Sequence, residues 1–279
     1  MNVDNFRDNL ELMSHTGFKL TDLESALIEN SLIILQSDNK FRDIFFLGRI
    51  ETTAPGFYYI AFGYGCDILK DRKFFYSLNA YEWVLMPSFR PKLLPIARNV
   101  TSFFRGDPAF IEDVCFNPAF IPDEEEVFLP CHRSPKKIKE DDRLACVVQM
   151  MMFECAIAPR GLLYHQPNHC VTFNPCFRGL TLLDANMLIN FQLFRTPVNN
   201  RNFNITKRED YNHQTDFFDT IDDLVPKKSV SIQINDRDVC TIRSLKWPGM
   251  IFMHKLNTPQ QGFFYFGSGR ENLDLPFMI

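Results

Sequence analysis

Long apolar runs are missing from this chain. The richest stretch, LACVVQMMMFECAIA from Leu144 to Ala158, is broken by Gln149 and Glu154. It is too short and too polar to cross a bilayer. A basic excess is missing as well. The formal net charge is −4, whereas broad binding to nucleic acid or to an anionic membrane needs a basic face. Neither kind of partner is expected. The first thirty residues carry no basic-then-apolar order, so no secretory signal is visible. The eight cysteines are therefore expected to be reduced thiols in an intracellular, cytoplasmic chain. Tryptophan is scarce, with 2 residues against 29 Phe and 8 Tyr. Phe-rich strands suit packed sheets and buried assembly surfaces.

Complete catalytic motifs are also lacking. There is no G-x-S-x-G elbow, no H-E-x-x-H and no P-loop. Gly267-Ser268-Gly269 follows a predicted strand, but Asn272 stands where a nucleotide fingerprint needs its third glycine. Gly63-Tyr64-Gly65 fails in the same way at Ile68. Both read as turns. His165, His169, Cys170 and Cys176 are the best metal candidates, yet their spacing is irregular and Pro167 and Pro175 intervene. Tetrahedral zinc usually takes two close pairs of ligands, so ordinary loop residues are the better reading. Cys131-His132 is a weaker pair still. Asp219, Asp222 and Asp223 read as a charged loop, and Arg105-Gly106-Asp107 as a turn. No catalytic residue, cofactor site or metal site is expected.

What is present is an ordinary globular composition, 46% hydrophobic and 23% charged, enough for a sizeable core without a metal or disulfide. Val3, Phe6, Leu10 and Met13 recur at helical spacing. Thr21 and Glu24 stand in capping-box positions before a second helix, with Leu23, Leu27, Ile28 and Ile34 on its apolar face. From Asp43 to Met86 short aromatic and β-branched segments alternate with turn signals, which predicts a four-stranded antiparallel meander. A short helix is predicted to end near Arg98. Residues 106–142 are proline-punctuated and charged, and Asp113 to Arg143 is predicted to be a mobile or partner-ordered excursion. Arg143 to Ala158 reads as a buried helix running into a strand. Leu180 to Arg195 reads as another helix, and an Asn-rich polar loop spans Val198 to Gln214. Four further segments, SVSIQI, DVCTIRSL, GMIFMHK and GFFYFG, predict a second meander, with Trp247 buried beside the Pro248-Gly249 turn.

The fold class is thus α+β: amphipathic helices with two antiparallel β-meander regions. A single domain over 1–279 is expected, with room for two sub-lobes, about 1–105 and 143–279, joined by the loop-rich segment 106–142. The C-terminal segment is the one candidate binding element. Leu273, Leu275 and Phe277 alternate with Asn272, Asp274 and Pro276, and Met278 and Ile279 follow. An extended segment with one apolar side is predicted, docked on the chain's own sheet or on a partner.

Whole segments carry more information than these motifs. FFLGRIETTAPGFYYIAFG, FFYSLNAYEWVLMP, FRGDPAF, APRGLL, VSIQI, RSLKWPGMIFMH and FGSGRENLDLPFMI follow one another in this order. Together they resemble the radial spoke head protein 9 family, subunits of the radial spokes of motile cilia and flagella. FLGRI, YYIAFG and ARNVTSFFRG are also similar to the larger paralogous spoke-head subunits. The departures fall between Asp113 and Asp142 and after Pro197. The resemblance implies a non-enzymatic structural subunit in the axoneme, part of the ciliary cytoskeleton. It implies the paralogous larger subunits and other spoke-head proteins as partners, with the central-pair apparatus contacted through the assembled head. It also implies a part in relaying mechanical signals that control dynein-driven bending. Two other readings stay open on the residues alone. One is an enzyme whose site is assembled from scattered side chains; the other is a zinc-stabilised adaptor built on His165 to Cys176.

Overall fold

Thr21 opens the longest helix by a reciprocal cap. Its hydroxyl accepts the Glu24 N–H at 3.2 Å, and the Glu24 carboxylate accepts the Thr21 N–H at 2.8 Å, so two otherwise orphaned donors are satisfied. A computed structural model describes residues 1–114, 136–198, 208–235 and 238–278. It begins with helices α1 (Phe6–Ser14) and α2 (Asp22–Asn39). Strands β1 (Asp43–Glu51), β2 (Phe57–Tyr64), β3 (Lys73–Ser77) and β4 (Val84–Leu85) form the expected first meander. The short helix is α3 (Leu94–Arg98). Next come β5 (Ile111–Val114), β6 (Lys136–Lys139) and α4 (Glu140–Cys155), then β7 (Ile157–Pro159), β8 (Leu163–His165), β9 (Val171–Phe173), α5 (Leu182–Ala185) and β10 (Phe191–Leu193). The second meander is β11 (Val230–Asn235), β12 (Val239–Ser244), β13 (Met250–Lys255) and β14 (Gln261–Gly267), followed by α6 (Leu275–Met278).

The two meanders are halves of one sheet, ordered β11-β12-β13-β14-β1-β2-β3-β4. Their seam is the parallel pairing of β1 with β14, from Gly48 opposite Tyr265 to Ile50 opposite Gly267. Both faces are covered. On one, Ile44, Phe46, Tyr59, Ile251, Met253, Phe264 and Phe266 meet Phe6, Met13, Ile28 and Leu32 of α1 and α2. On the other, Phe45, Leu47, Ile60, Phe62, Phe252 and Tyr265 pack in the same core as Leu144, Val148, Met151 and Met152 of α4. Successive strand residues feed opposite cores, which is why these strands read as nearly unbroken apolar runs.

Three expectations are corrected. Leu180 to Arg195 is no single helix. After the four residues of α5 the chain turns, and β10 pairs with β7, setting Phe191 opposite Pro159 and Leu193 opposite Ile157. The apolar run Leu188 to Phe194 fits either period, and its pairing partner decides the outcome. On α2, Ile28, Ser31 and Leu32 face inward, while Leu23 and Ile34 lie 72% and 62% exposed. The flanks of the supposed excursion are ordered: β5 and β6 form an antiparallel ladder, and Glu140 and Arg143 are buried at the start of α4. Its middle, 115–135, lies outside the described residues, as do Cys131-His132 and part of the Asn-rich loop.

A buried imidazole adds a pH dependence. His254 in β13 has no exposed surface. Its Nε2 accepts the Leu180 N–H at 3.0 Å, and its Nδ1 lies 2.9 Å from the Gln260 carbonyl. Nδ1 therefore carries the single proton and the ring is neutral. Burial pushes its pKa down from 6.5 to about 4. The unfolded chain binds a proton at higher pH than the native one, so this stability is present above pH 6.5 and is lost as pH falls towards 4. The whole loss is about 3 kcal/mol. Urea unfolding at pH 7 and pH 4.5 should show a drop that is smaller in His254→Gln; equal drops would contradict the assignment.

Candidate assembly surfaces

Around the sheet, buried polar groups tie distant segments together. The Glu140 carboxylate accepts the Arg105 and Gly106 N–H groups at 2.9 and 2.8 Å and the Tyr58 hydroxyl at 2.8 Å. The Arg105-Gly106-Asp107 turn, with Gly106 at φ +93°, is thus a structural clasp on the N-terminus of α4. Arg160 makes a two-pronged ion pair with the fully buried Asp216, at 2.8 and 2.6 Å, and reaches Asp210 at 2.7 Å. It fixes the loop beyond residue 208 against β7. Arg195 pairs with Asp219 at 3.0 Å and lies over the Phe153 ring. The segments FRGDPAF and APRGLL contain two of these ties.

The metal candidates do not converge. His165 ends β8 and stacks on Phe217, with ring centroids 3.8 Å apart. Burial lowers its pKa below the usual imidazole range. His169 sits in the following turn at φ +62°, and Cys176 is exposed beyond β9. Among the described residues no three His, Cys, Asp or Glu side chains are grouped to hold a metal ion. The clefts are lined by mixed, mostly paired groups. One of about 320 Å³ lies between Arg98, Arg143, Met150, Trp247 and Arg270. Among the described residues, no helix is long and apolar enough to cross a membrane.

The C-terminal segment leaves the sheet at Gly269, whose N–H donates to the Tyr265 hydroxyl at 2.8 Å. Asn272 then pins it beside the end of β12: its N–H reaches the Lys246 carbonyl at 2.8 Å, and its side chain the Leu245 carbonyl at 3.2 Å. The expected extended segment is a helical turn. Asn272 Oδ1 accepts the Asp274 N–H at 3.2 Å, and the Phe277 N–H closes on Asp274 O at 2.9 Å. Pro276 suits a first helical turn, where its missing donor costs nothing. The turn parts the three apolar residues. Leu275 is buried, whereas Phe277 and Met278 are 90% and 72% exposed and Leu273 is half-exposed. Ile279 lies outside the described residues.

A second exposed apolar surface joins α2 to the sheet's far edge. Ser31 Oγ donates to the Ala80 carbonyl at 2.9 Å and accepts the Trp83 indole N–H at 2.9 Å. Beside this link, Leu27, Ile34, Tyr81, Val84 and Leu85 face outward. Exposed apolar side chains on both elements make this region a candidate contact surface. The sequence pattern missed this because an apolar face wider than one contact looks the same as a core face.

No protein-family profile matches the chain. Individual proteins do, over its whole length. It is 36% identical to the radial spoke head protein 9 homolog of Danio rerio over 283 residues, covering all of both chains. It is 34% identical to those of Homo sapiens and Xenopus tropicalis, again covering all of both chains. The chain belongs to the radial spoke head protein 9 family.

Proposed function

We propose that this protein is a non-catalytic scaffold subunit of the radial spoke head in the axoneme of a motile cilium or flagellum. Its partners are the larger paralogous head subunits and other spoke-head proteins, and it meets the central-pair apparatus through the assembled head. In that position it supports head assembly and the relay of mechanical signals between the central pair and the dynein arms. The full-length similarity to spoke-head proteins carries this reading. The exposed Phe277-Met278 turn supports it, because a chain held in a permanent assembly can present apolar side chains that its neighbours cover. One domain over 1–279 is part of the proposal, on the ground that β1 and β14, far apart in sequence, share the central seam.

Leu273, Phe277, Met278 and Ile279 are the proposed docking residues, with Leu275 anchoring them from inside. Phe277 and Met278 bury little surface in the free chain, so deleting Phe277 to Ile279 should change its melting temperature by no more than about 2 °C. Incorporation into spoke heads should fall severalfold when the truncated chain replaces the full one in ciliated cells. Full occupancy of the heads by the truncated chain would sink the docking role of this segment.

A further inference from the structure

The outer edge of β11 has the features of a self-pairing strand, and the hydrogen-bond parity of the sheet says which groups face it. The Leu245 N–H donates to the Ser229 carbonyl at 2.8 Å. In an antiparallel pair, residues alternate between exchanging bonds with the partner strand and pointing away from it. The register Val230–Ser244 to Asn235–Val239 therefore turns the main-chain groups of Ser229, Ser231, Gln233 and Asn235 towards β12. Those of Val230, Ile232 and Ile234 point the other way. The next pair agrees, since the Leu256 N–H donates to the Asp238 carbonyl at 2.8 Å, leaving the odd-numbered residues of β12 for β11. No described residue makes a backbone bond to the outward groups.

Protein sheets usually blunt such an edge with charge, proline, a bulge or a very short strand. The opposite edge is blunted: β4 has two residues and runs into Pro87. The β11 edge has none of these devices. Val-Ser-Ile-Gln-Ile-Asn is uncharged, six residues long and paired without a bulge. Val230, Ile232 and Ile234 pack inward on the core, and Ser231 and Gln233 lie exposed.

We infer that β11 is a docking edge for β11 of a second copy of this chain, antiparallel about Ile232. In that register Val230 meets Ile234, Ile232 meets itself and Ser231 meets Gln233, so the three outward-facing residues of each copy are matched. Six main-chain hydrogen bonds would follow, two from each bonded pair. Charge favours a second copy in this orientation. Each strand is preceded by Lys227 and Lys228 and followed by Asp236, Arg237 and Asp238, so the antiparallel arrangement sets the net basic end of one copy against the net acidic end of the other. A parallel arrangement would set like charges together. The pairing joins two eight-stranded sheets into one, on an edge separate from the C-terminal segment. It stands or falls independently of the spoke-head reading.

The test is sedimentation equilibrium of the purified full-length chain over a wide concentration range. A reversible dimer is expected, weak because an edge contact covers less than the roughly 1,200 Å² of a stable interface. Ile232→Pro removes an outward N–H and leaves the bonds of Ser231 and Gln233 to β12 intact. It should raise the dimer dissociation constant at least about tenfold. Lys228→Glu and Asp238→Lys should each weaken the dimer, and the double variant should restore it; these exposed changes guard against a folding defect in the proline variant. A chain that stays monomeric throughout overturns the inference. So does a dimer indifferent to both the proline and the charge reversals.

Discussion

Gly48→Ala is expected to destabilise the protein by about 4 kcal/mol or more, lowering its melting temperature by about 10 °C. Gly48 sits at φ +141°, a conformation that side-chain-bearing residues rarely adopt. It also marks a bulge in β1: Phe46 pairs with Ala61 and Gly48 with Ile60, leaving Leu47 unmatched. A Cβ there would lie 2.0 Å from the Tyr265 carbonyl oxygen and 2.7 Å from its nitrogen. Those atoms belong to β14, at the first register position of the seam. No side chain can swing aside to make room, because the obstacle is backbone. Relief requires opening the one pairing that joins the two meanders. Thermal unfolding checks it. A variant melting within about 2 °C of the parent would mean that the seam tolerates separation.

Trp247→Ala should cost on the order of 3–5 kcal/mol. Trp247 is fully buried beside Met250 and α4. Its indole N–H donates to Glu154 Oε2 at 2.7 Å, and its main-chain N–H to Ser244 Oγ at 3.1 Å. Glu154 is held further by Lys246 at 2.9 Å and Arg98 at 3.4 Å. The indole thus fills the space where α3, α4 and the second meander meet, and it supplies one donor to a shared carboxylate. Alanine leaves a large cavity there, while Lys246 and Arg98 keep the carboxylate paired. Trp247→Phe separates the two contributions. It retains most of the packing and loses the donor, so it should cost only about 1–2 kcal/mol. Chemical denaturation of the three proteins reads both numbers, and equal losses for Ala and Phe would show that the hydrogen bond, not the ring, dominates.

Local chemistry was legible in the sequence wherever neighbours along the chain decide it. The Thr21–Glu24 cap is complete within four residues. The strand blocks announce themselves by aromatic and β-branched runs between turns, and the burial of Trp247 follows from its place beside Pro248-Gly249. Long-range pairing was not legible. Nothing near Gly48 in the chain says that Tyr265 lies against it, so one sheet read as two. Leu188 to Phe194 fits both helical and extended periods, and β7 chose between them. In the C-terminal segment, alternation of Leu273, Leu275 and Phe277 suggested a strand. The Asn272 side chain instead caps a helical turn, which buries Leu275 and turns Phe277 outward. The face of α2 failed for a related reason: hydrophobicity says that a side chain avoids water, not whether its own chain or another covers it. Candidate contact surfaces are therefore visible only once the intramolecular core has been subtracted.

The central claim is that this chain is built into the spoke head with its exposed apolar turn covered by a neighbour. Cryo-electron microscopy of axonemes carrying the protein tests it most directly. The account predicts the chain in the spoke heads, with Phe277 and Met278 buried against another subunit. Heads that lack the chain, or a chain in place with both side chains facing solvent, would contradict it.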